Sequence, residues 1–326
     1  MAEHQGKVGE AKSGVIESLP LACASEDAAV AFLEDLRWPK TKCCPRCGSV
    51  DVYPVTDRDS GGRNSDHRWR CRDCRQFYTV RTGTVMEDSR IPLKHWCWAF
   101  WQLCSSKKGM SAKQIQRQTG LSYKSSLFLL HRVRFAMSDM GGVMLQGTVE
   151  SDEVWIGGKP RKVNGVGGVA TQGRSEHKVP VQTLVERGGN KVSRVLADVS
   201  AKNLRANIDA LVDKTGTLMT DENKLYRKVG SEFEGGHLTV QHNVHEYARP
   251  SDGAHINTAE SAHAIIKRGM YGVYHSVSKR HLHRYLAEFD FRWNHRKVED
   301  GARTVAAIQG AEGKRLMYRE PLVCPS

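Results

Sequence analysis

Two kinds of residue in this chain have the type and spacing to do chemistry: paired cysteines and separated acids. Cys44-Pro-Arg-Cys47-Gly and Cys71-Arg-Asp-Cys74-Arg are Cys-x-x-Cys pairs separated by 23 residues. Each pair can turn a tight knuckle, and two knuckles bring four thiolates to one tetrahedral zinc. Pro45 and Gly48 suit those turns. Such a site is structural, because protein fills all four positions and leaves none for a water. Cys43 is an alternative ligand by position, but Cys44 keeps the spacing. Cys97 and Cys104 lie in an aromatic helical stretch and read as core.

The acids are Asp152, Asp221 and Glu260. Asp152 sits in Val149-Glu-Ser-Asp-Glu-Val154, a strand pattern in which a central acid is unwelcome without a partner. Asp221 closes Thr217-Leu-Met-Thr-Asp221 at the carboxyl end of another strand. Glu260 falls on the first turn of a helix expected over Thr258 to Arg268, with Lys267 seven residues later on the same face. Hard cations such as Mg²⁺ or Mn²⁺ prefer oxygen ligands and keep waters. Two of them roughly 4 Å apart can activate a water or a 3′-hydroxyl and stabilise the leaving oxygen of an in-line phosphoryl transfer. Lys267 would hold a phosphate. Asn257-x-x-Glu260 also has the form of a capping box, in which Asn257 caps the helix and Glu260 returns to its backbone. Glu153 should point to the opposite strand face from Asp152. His237, His242, His245 and His255 precede the helix without a pattern and read as surface residues.

Periodicity and turn residues outline the elements that position these groups. Residues 1–25 read as a flexible tail. Residues 26–90 hold a short helix, with apolar Ala29, Phe32, Leu33 and Leu36, and then the zinc ribbon with β-prone Val52-Tyr53 and Phe77 to Val80. Residues 91–140 read as helical, first through Trp96, Trp98, Phe100 and Trp101, then as two segments about Gly120. Ser111-Ala-Lys-Gln114 resembles a capping box and Ser122 can cap a helix from Tyr123 to about Arg134, a helix-turn-helix pattern. In that geometry the second helix enters the major groove, making Tyr123, Lys124 and Ser125 contact candidates. Lys107, Lys108, Lys113, Arg132 and Arg134 are candidates for phosphates.

Residues 147–300 read as strand (Thr148 to Ile156), Gly-rich basic loop (Gly157 to Lys178), strands (Val179 to Glu186, Lys191 to Val199), helix (Asn203 to Asp213), strand (Thr217 to Thr220), a polar stretch and two helices, Thr258 to Arg268 and Lys279 to Trp293. Three antiparallel strands, a helix and a further strand open a ribonuclease H-like sheet. Lys159, Arg161, Lys162, Arg174 and Lys178 make the loop a DNA-contact candidate, and no P-loop pattern is present. Residues 301–326 read as a tail. The expected fold class is multidomain α+β: zinc ribbon, helix-turn-helix-like helical domain, and ribonuclease H-like α/β domain with a mixed sheet.

A net charge of +13 over 326 residues, with the positive residues spread along the chain, suits a polyanionic partner. No apolar run approaches the roughly 20 residues of a membrane span, and Met1 to Gly14 lacks a secretory pattern. A cytoplasmic, nucleoid-associated protein without membrane partners is expected, where nine cysteines argue for metal use over disulfides. From about Ala28 to Lys297 the chain resembles the bacterial insertion-sequence transposases of the DDE superfamily with an N-terminal zinc ribbon. The resemblance rests on Phe32-Leu-Glu-Asp-Leu-Arg-Trp38, Cys44-Pro-Arg-Cys47-Gly, Asp152-Glu-Val-Trp-Ile-Gly-Gly-Lys159, His255-Ile-Asn-Thr-Ala-Glu260, Lys267-Arg268 and Phe291-Arg-Trp-Asn294, in that order. It implies a ribonuclease H-like catalytic core, binding of terminal inverted repeats in double-stranded DNA, and Mg²⁺-dependent cleavage and joining; because two DNA ends must be brought together, a homo-oligomer on DNA is expected. Its acids carry over onto Asp152, Asp221 and Glu260, with Lys267 as basic companion and Asn257 as the alternative third ligand. The competing readings are a zinc-ribbon and helix-turn-helix regulator that binds DNA without cutting it, and an inactive, domesticated transposase.

Overall fold

The computed structural model describes residues 7–138, 142, 144–157, 178–241 and 248–317. Lys159, Arg161, Lys162, Arg174, His242 and His245 lie outside the described residues. The chain divides into two compact units, Met1–Met137 with Val298–Ser326, and Ser138–Lys297.

The first unit opens with α1 (Lys7–Ala24) and α2 (Glu26–Arg37), followed by a three-stranded antiparallel sheet of β1 (Val52–Pro54), β2 (Trp69–Cys71) and β3 (Phe77–Tyr78). Three helices come next: α3 (Leu93–Ser105), α4 (Ala112–Thr119) and α5 (Tyr123–Met137). One face of α2 buries Ala29, Val30, Phe32 and Leu33. Its Glu34, 3% exposed, accepts hydrogen bonds from Trp69 Nε1 at 2.7 Å and from Arg63 Nη1 at 3.1 Å. Trp38, just past α2, meets Trp69 and Tyr78 edge-on, so the inner face of the ribbon sheet is aromatic. The N-terminus of α3 has Pro92 at its cap position and no cap from its own side chain. The Glu26 carboxylate supplies one, accepting from the Leu93 and Lys94 amides at 2.7 and 3.1 Å.

The expected caps of the helix pair form. Ser111 Oγ accepts from the Gln114 amide and Ser122 Oγ from the Ser125 amide, each at 3.2 Å. Between them the chain turns at Gly120 with φ +73°, a left-handed conformation that glycine adopts without a Cβ penalty.

The second unit holds β4 (Thr148–Ile156), β5 (Val179–Glu186), β6 (Lys191–Val195), α6 (Ala201–Leu211), β7 (Thr217–Asp221), the one-turn α7 (Arg227–Gly230), β8 (His237–Val240), the hairpin β9 (Ala248–Arg249) and β10 (Ala254–His255), α8 (Asn257–Gly269) and α9 (Leu282–Asn294). Its five-stranded sheet runs β6-β5-β4-β7-β8. The first three strands pair antiparallel, as expected, and β7 and β8 join in parallel to make the sheet mixed. On one face Val149, Leu184 and Leu218 pack with Leu204, Ile208 and Leu211 of α6. On the other, Val154, Ile156 and Val181 pack with Ile266 of α8 and Leu282, Leu286 and Phe289 of α9. Alternation along β4 therefore decides which helix layer each side chain meets.

Three stretches depart from expectation. Part of the supposed N-terminal tail is α1, which buries Leu19 and Ala22. Residues 301–326 are not simply a tail: α10 (Asp300–Gln309) buries Thr304, Ala307 and Ile308, a helical spacing, and Arg303 Nη1 donates to the Cys104 carbonyl at 2.7 Å. The polar stretch before α8 contains β8 and the β9–β10 hairpin, which are too short and too poor in apolar residues to show a period. Among the described residues no helix is long and apolar enough to cross a membrane.

Candidate active site and zinc centre

Cys44 and Cys47 flank a turn in which the Gly48 amide donates to the Cys44 carbonyl at 2.8 Å. Cys71 ends β2 and Cys74 follows in the next turn. The sulfurs of Cys44 and Cys74 are 3.7 Å apart and those of Cys47 and Cys71 3.6 Å, and all four lie within 4.8 Å of one another. A tetrahedral zinc with Zn–S near 2.3 Å needs S···S edges of about 3.8 Å, so the thiolate set fits that ion. Cys43 is not part of it. Cys97 and Cys104 are buried in α3, as expected of core residues. Burial pushes the Cys97 thiol up.

The acids are arranged by strand register. Thr148, Val149 and Glu150 of β4 align with Thr217, Leu218 and Met219 of β7. Carrying that register two residues further brings Asp152 level with Asp221. Val149 and Leu218 belong to the α6 face, and Met219 packs with Ala254 and Ile256 ahead of α8, so both aspartates belong to the α8 side by alternation. Asn257, Glu260 and Lys267 are exposed on α8. His263, 5% exposed, puts Nδ1 3.3 Å from Asp152 Oδ2. Among the described residues the four thiolates are the one set of three or more metal-type ligands whose atoms converge. Asp152, Asp221 and Glu260 do not form such a set.

The capping box that competed with a ligand role for Asn257 and Glu260 is absent. Helix α8 starts one residue early, with Ile256 at the cap position and Asn257 inside the helix, where its side chain cannot cap. Glu150 of β4, 0% exposed, caps it instead. Glu150 Oε2 accepts from the Thr258 and Ala259 amides, each at 2.9 Å, while Oε1 accepts from Thr258 Oγ1 at 2.9 Å and Arg187 Nε at 2.8 Å. Arg187 also donates to the carbonyls of Gly253 and His255, tying the β9–β10 hairpin to the same point. Neither Asn257 nor Glu260 is consumed as a cap.

Glu153 occupies the opposite face, as strand alternation requires. The Tyr226 hydroxyl donates to it and pairs with Ser151 Oγ at 2.9 Å. Burial pushes the Glu153 carboxyl up to about 7; the Tyr226 hydrogen bond opposes this, and the negative charges of Asp221 and Asp152 add to it. His237, expected on the surface, lies on β8 with Nε2 2.9 Å from Thr220 Oγ1.

Among the candidates for DNA contact, Lys113, Tyr123 and Lys124 are exposed at the helix pair, and Lys113 Nζ lies 5.1 Å above the Tyr123 ring. Arg132 does not belong with them. It is 6% exposed, and its guanidinium donates to the Glu87 and Leu316 carbonyls at 2.9 and 3.0 Å. Arg134 is likewise buried. From Leu129 onward most of α5 is buried, so a basic residue there is spent inside the fold, which charge alone does not reveal. Sequence reasoning also missed the roles of Glu150, Arg187, Tyr226 and His263. Glu150 had one signal, its place two residues before Asp152 on the same strand face.

Residues 144–294 match the model of the ISXO2-like transposase domain, and residues 24–76 that of the transposase zinc-ribbon domain. An uncharacterized protein in transposable element ISH50 of Halobacterium salinarum is 27% identical over 277 residues, covering 82% of this chain and 90% of that protein. With a Cys₄ ribbon and a mixed five-stranded sheet under these two matches, the chain belongs to the insertion-sequence transposases that carry an N-terminal zinc ribbon.

Proposed function

We propose that the protein cleaves double-stranded DNA at the ends of its own element and joins them to a target, using divalent cations held by Asp152, Asp221 and Glu260. The observation that supports this reading is the parallel pairing of β4 with β7, the strands that bear Asp152 and Asp221, in a transposase domain whose helix α8 bears a third acid. The donor set is all oxygen, as a hard cation requires, and Glu260 and Asn257 both remain available as the third ligand. Mg²⁺ or Mn²⁺ bound there would supply positive charge to the attacking and leaving oxygens of the phosphate. Lys267, two turns beyond Glu260 on α8, holds a phosphate of the strand in place. The Cys₄ zinc has no vacant position and serves to fold the ribbon. DNA is addressed by Lys113, Tyr123 and Lys124, and the two ends are held together by a homo-oligomer.

The test is cleavage and joining of labelled duplex bearing the element's ends, with Mg²⁺ or Mn²⁺, in wild type and Asp221→Ala. Metal-dependent nicking and joining, lost by at least about a thousandfold in the variant with DNA binding intact, is the expected outcome. Tight binding without cleavage in the wild type would instead make the chain a DNA-binding regulator.

A further inference from the structure

Glu150 carries more of the second unit than its place in the sequence suggests. A buried carboxylate is costly unless it is paired and hydrogen-bonded, and this one has a donor for each oxygen: two amides of the first turn of α8 on Oε2, the Thr258 hydroxyl and the Arg187 guanidinium on Oε1. His255 Nδ1 lies 3.2 Å from the same Oε1. The negative charge sits at the positive end of the helix dipole, where an acid is favoured. Glu150 is two residues from Asp152 on the same strand face, and Thr258 is two residues from Glu260, so one side chain spans the gap between the acid-bearing strand and the acid-bearing helix. Just over one turn along α8, His263 touches Asp152. The strand and the helix are thus pinned at two points, with Glu260 between them in sequence.

We propose that Glu150 is a positioning residue for the metal site: it fixes α8 against β4 so that Glu260 and Lys267 are presented at Asp152. The inference rests on the reading of Asp152, Asp221 and Glu260 as cation ligands. A glutamine in its place keeps the size and one oxygen acceptor but turns the other oxygen into a donor facing donors. In a folded protein this loosens the first turn of α8 and leaves Asp152 and Asp221 on their strands.

The experiment uses the full-length chain, wild type and Glu150→Gln, with Thr258→Val as a second variant that deletes only the hydroxyl donor. Mn²⁺ binding is measured by the loss of the free-ion electron paramagnetic resonance signal, cleavage by kcat and KM for DNA, and folding by near-ultraviolet circular dichroism. The expected result for Glu150→Gln is a 10- to 100-fold weaker Mn²⁺ affinity, roughly the range for residues behind metal ligands, with a matching fall in kcat and an unchanged KM for DNA. Thr258→Val should show the same pattern at a few-fold. Mn²⁺ affinity and kcat within twofold of wild type in folded Glu150→Gln would overturn the proposal. If that variant does not fold, wild-type values in Thr258→Val would overturn it. Absence of Mn²⁺ binding by the wild type itself would remove the acid site and this inference together, whereas normal wild-type binding with insensitive variants removes only the inference.

Discussion

In the ribbon, four ligands arrive on two knuckles and their sulfurs already meet within 4.8 Å. In the sheet unit, Asp152, Asp221 and Glu260 come from a central strand, its parallel neighbour and a helix much later in the chain, and they do not close on a point. Both units use the same device to place a helix, a glutamate from a distant element that accepts the first amides: Glu26 for α3 and Glu150 for α8. The difference lies in what the metal does for the fold. The ribbon sheet is three strands of two or three residues, too little apolar surface to stand alone, so its ion is part of the structure. The sheet unit has apolar cores on both faces, so its fold does not rest on a cation in the same way.

The largest expected effect breaks that contrast if it fails. Cys71→Ser removes one thiolate, and zinc binding in small ribbons is worth about 10 kcal/mol or more of folding free energy. The ribbon's aromatic signal from Trp38 and Trp69 should be lost while the sheet unit keeps a cooperative melt, read by near-ultraviolet circular dichroism and calorimetry. A variant that retains full ribbon signal without bound zinc, or one that loses both transitions, would show that the two units do not depend on metal in the way argued.

A smaller effect sharpens the other side of the comparison. In the metal-free sheet unit acids crowd together, and burial, with the charges of Asp221 and Asp152, holds the Glu153 carboxyl up at about 7 against an ordinary 4.5. The folded chain therefore keeps a proton that the unfolded chain has released. The stability this contributes is complete below about pH 4.5 and is lost as pH rises through about 7, by up to roughly 3 kcal/mol. Urea melts of the metal-free protein at pH 5 and pH 7.5 should differ by part of that amount beyond any change common to both chains, and Glu153→Gln should remove that part. Equal slopes in the two proteins would place the crowding elsewhere.

How much of this could be read from the chain follows the same division. The Cys₄ centre was legible because its ligands are local and their spacing carries the geometry. The sheet was legible wherever a strand had enough apolar residues to show alternation, as in Val179–Glu186, but not in His237–Val240, which has only Leu238 and Val240. Asp152 and Asp221 stood out as acids in strands. The cap on α8 was not legible: Asn257-x-x-Glu260 satisfies a local capping pattern, while the group that takes the amides comes from a strand more than a hundred residues away. Arg132 failed for a related reason: a basic residue on a helix shows its charge in the sequence, but not the backbone carbonyls that absorb it.

The smallest effect tests whether addressing DNA and cutting it are separable between the units. Lys124 is exposed in the first turn of α5, next to Tyr123, whose ring lies under Lys113. If this helix start lies on a duplex, Lys124→Ala deletes one phosphate contact: affinity should fall a few-fold near 0.1 M salt, and the slope of log affinity against log salt should become shallower by about 0.9. At saturating DNA the cleavage rate should match wild type, because the residue touches neither acid nor reacting phosphate. Arg132→Ala provides the contrast, losing stability through two orphaned carbonyls while leaving the salt slope alone. An unchanged slope in Lys124→Ala would remove α5 from the DNA interface, and a reduced rate at saturation would mean that binding by the helical unit reaches into the chemistry of the sheet.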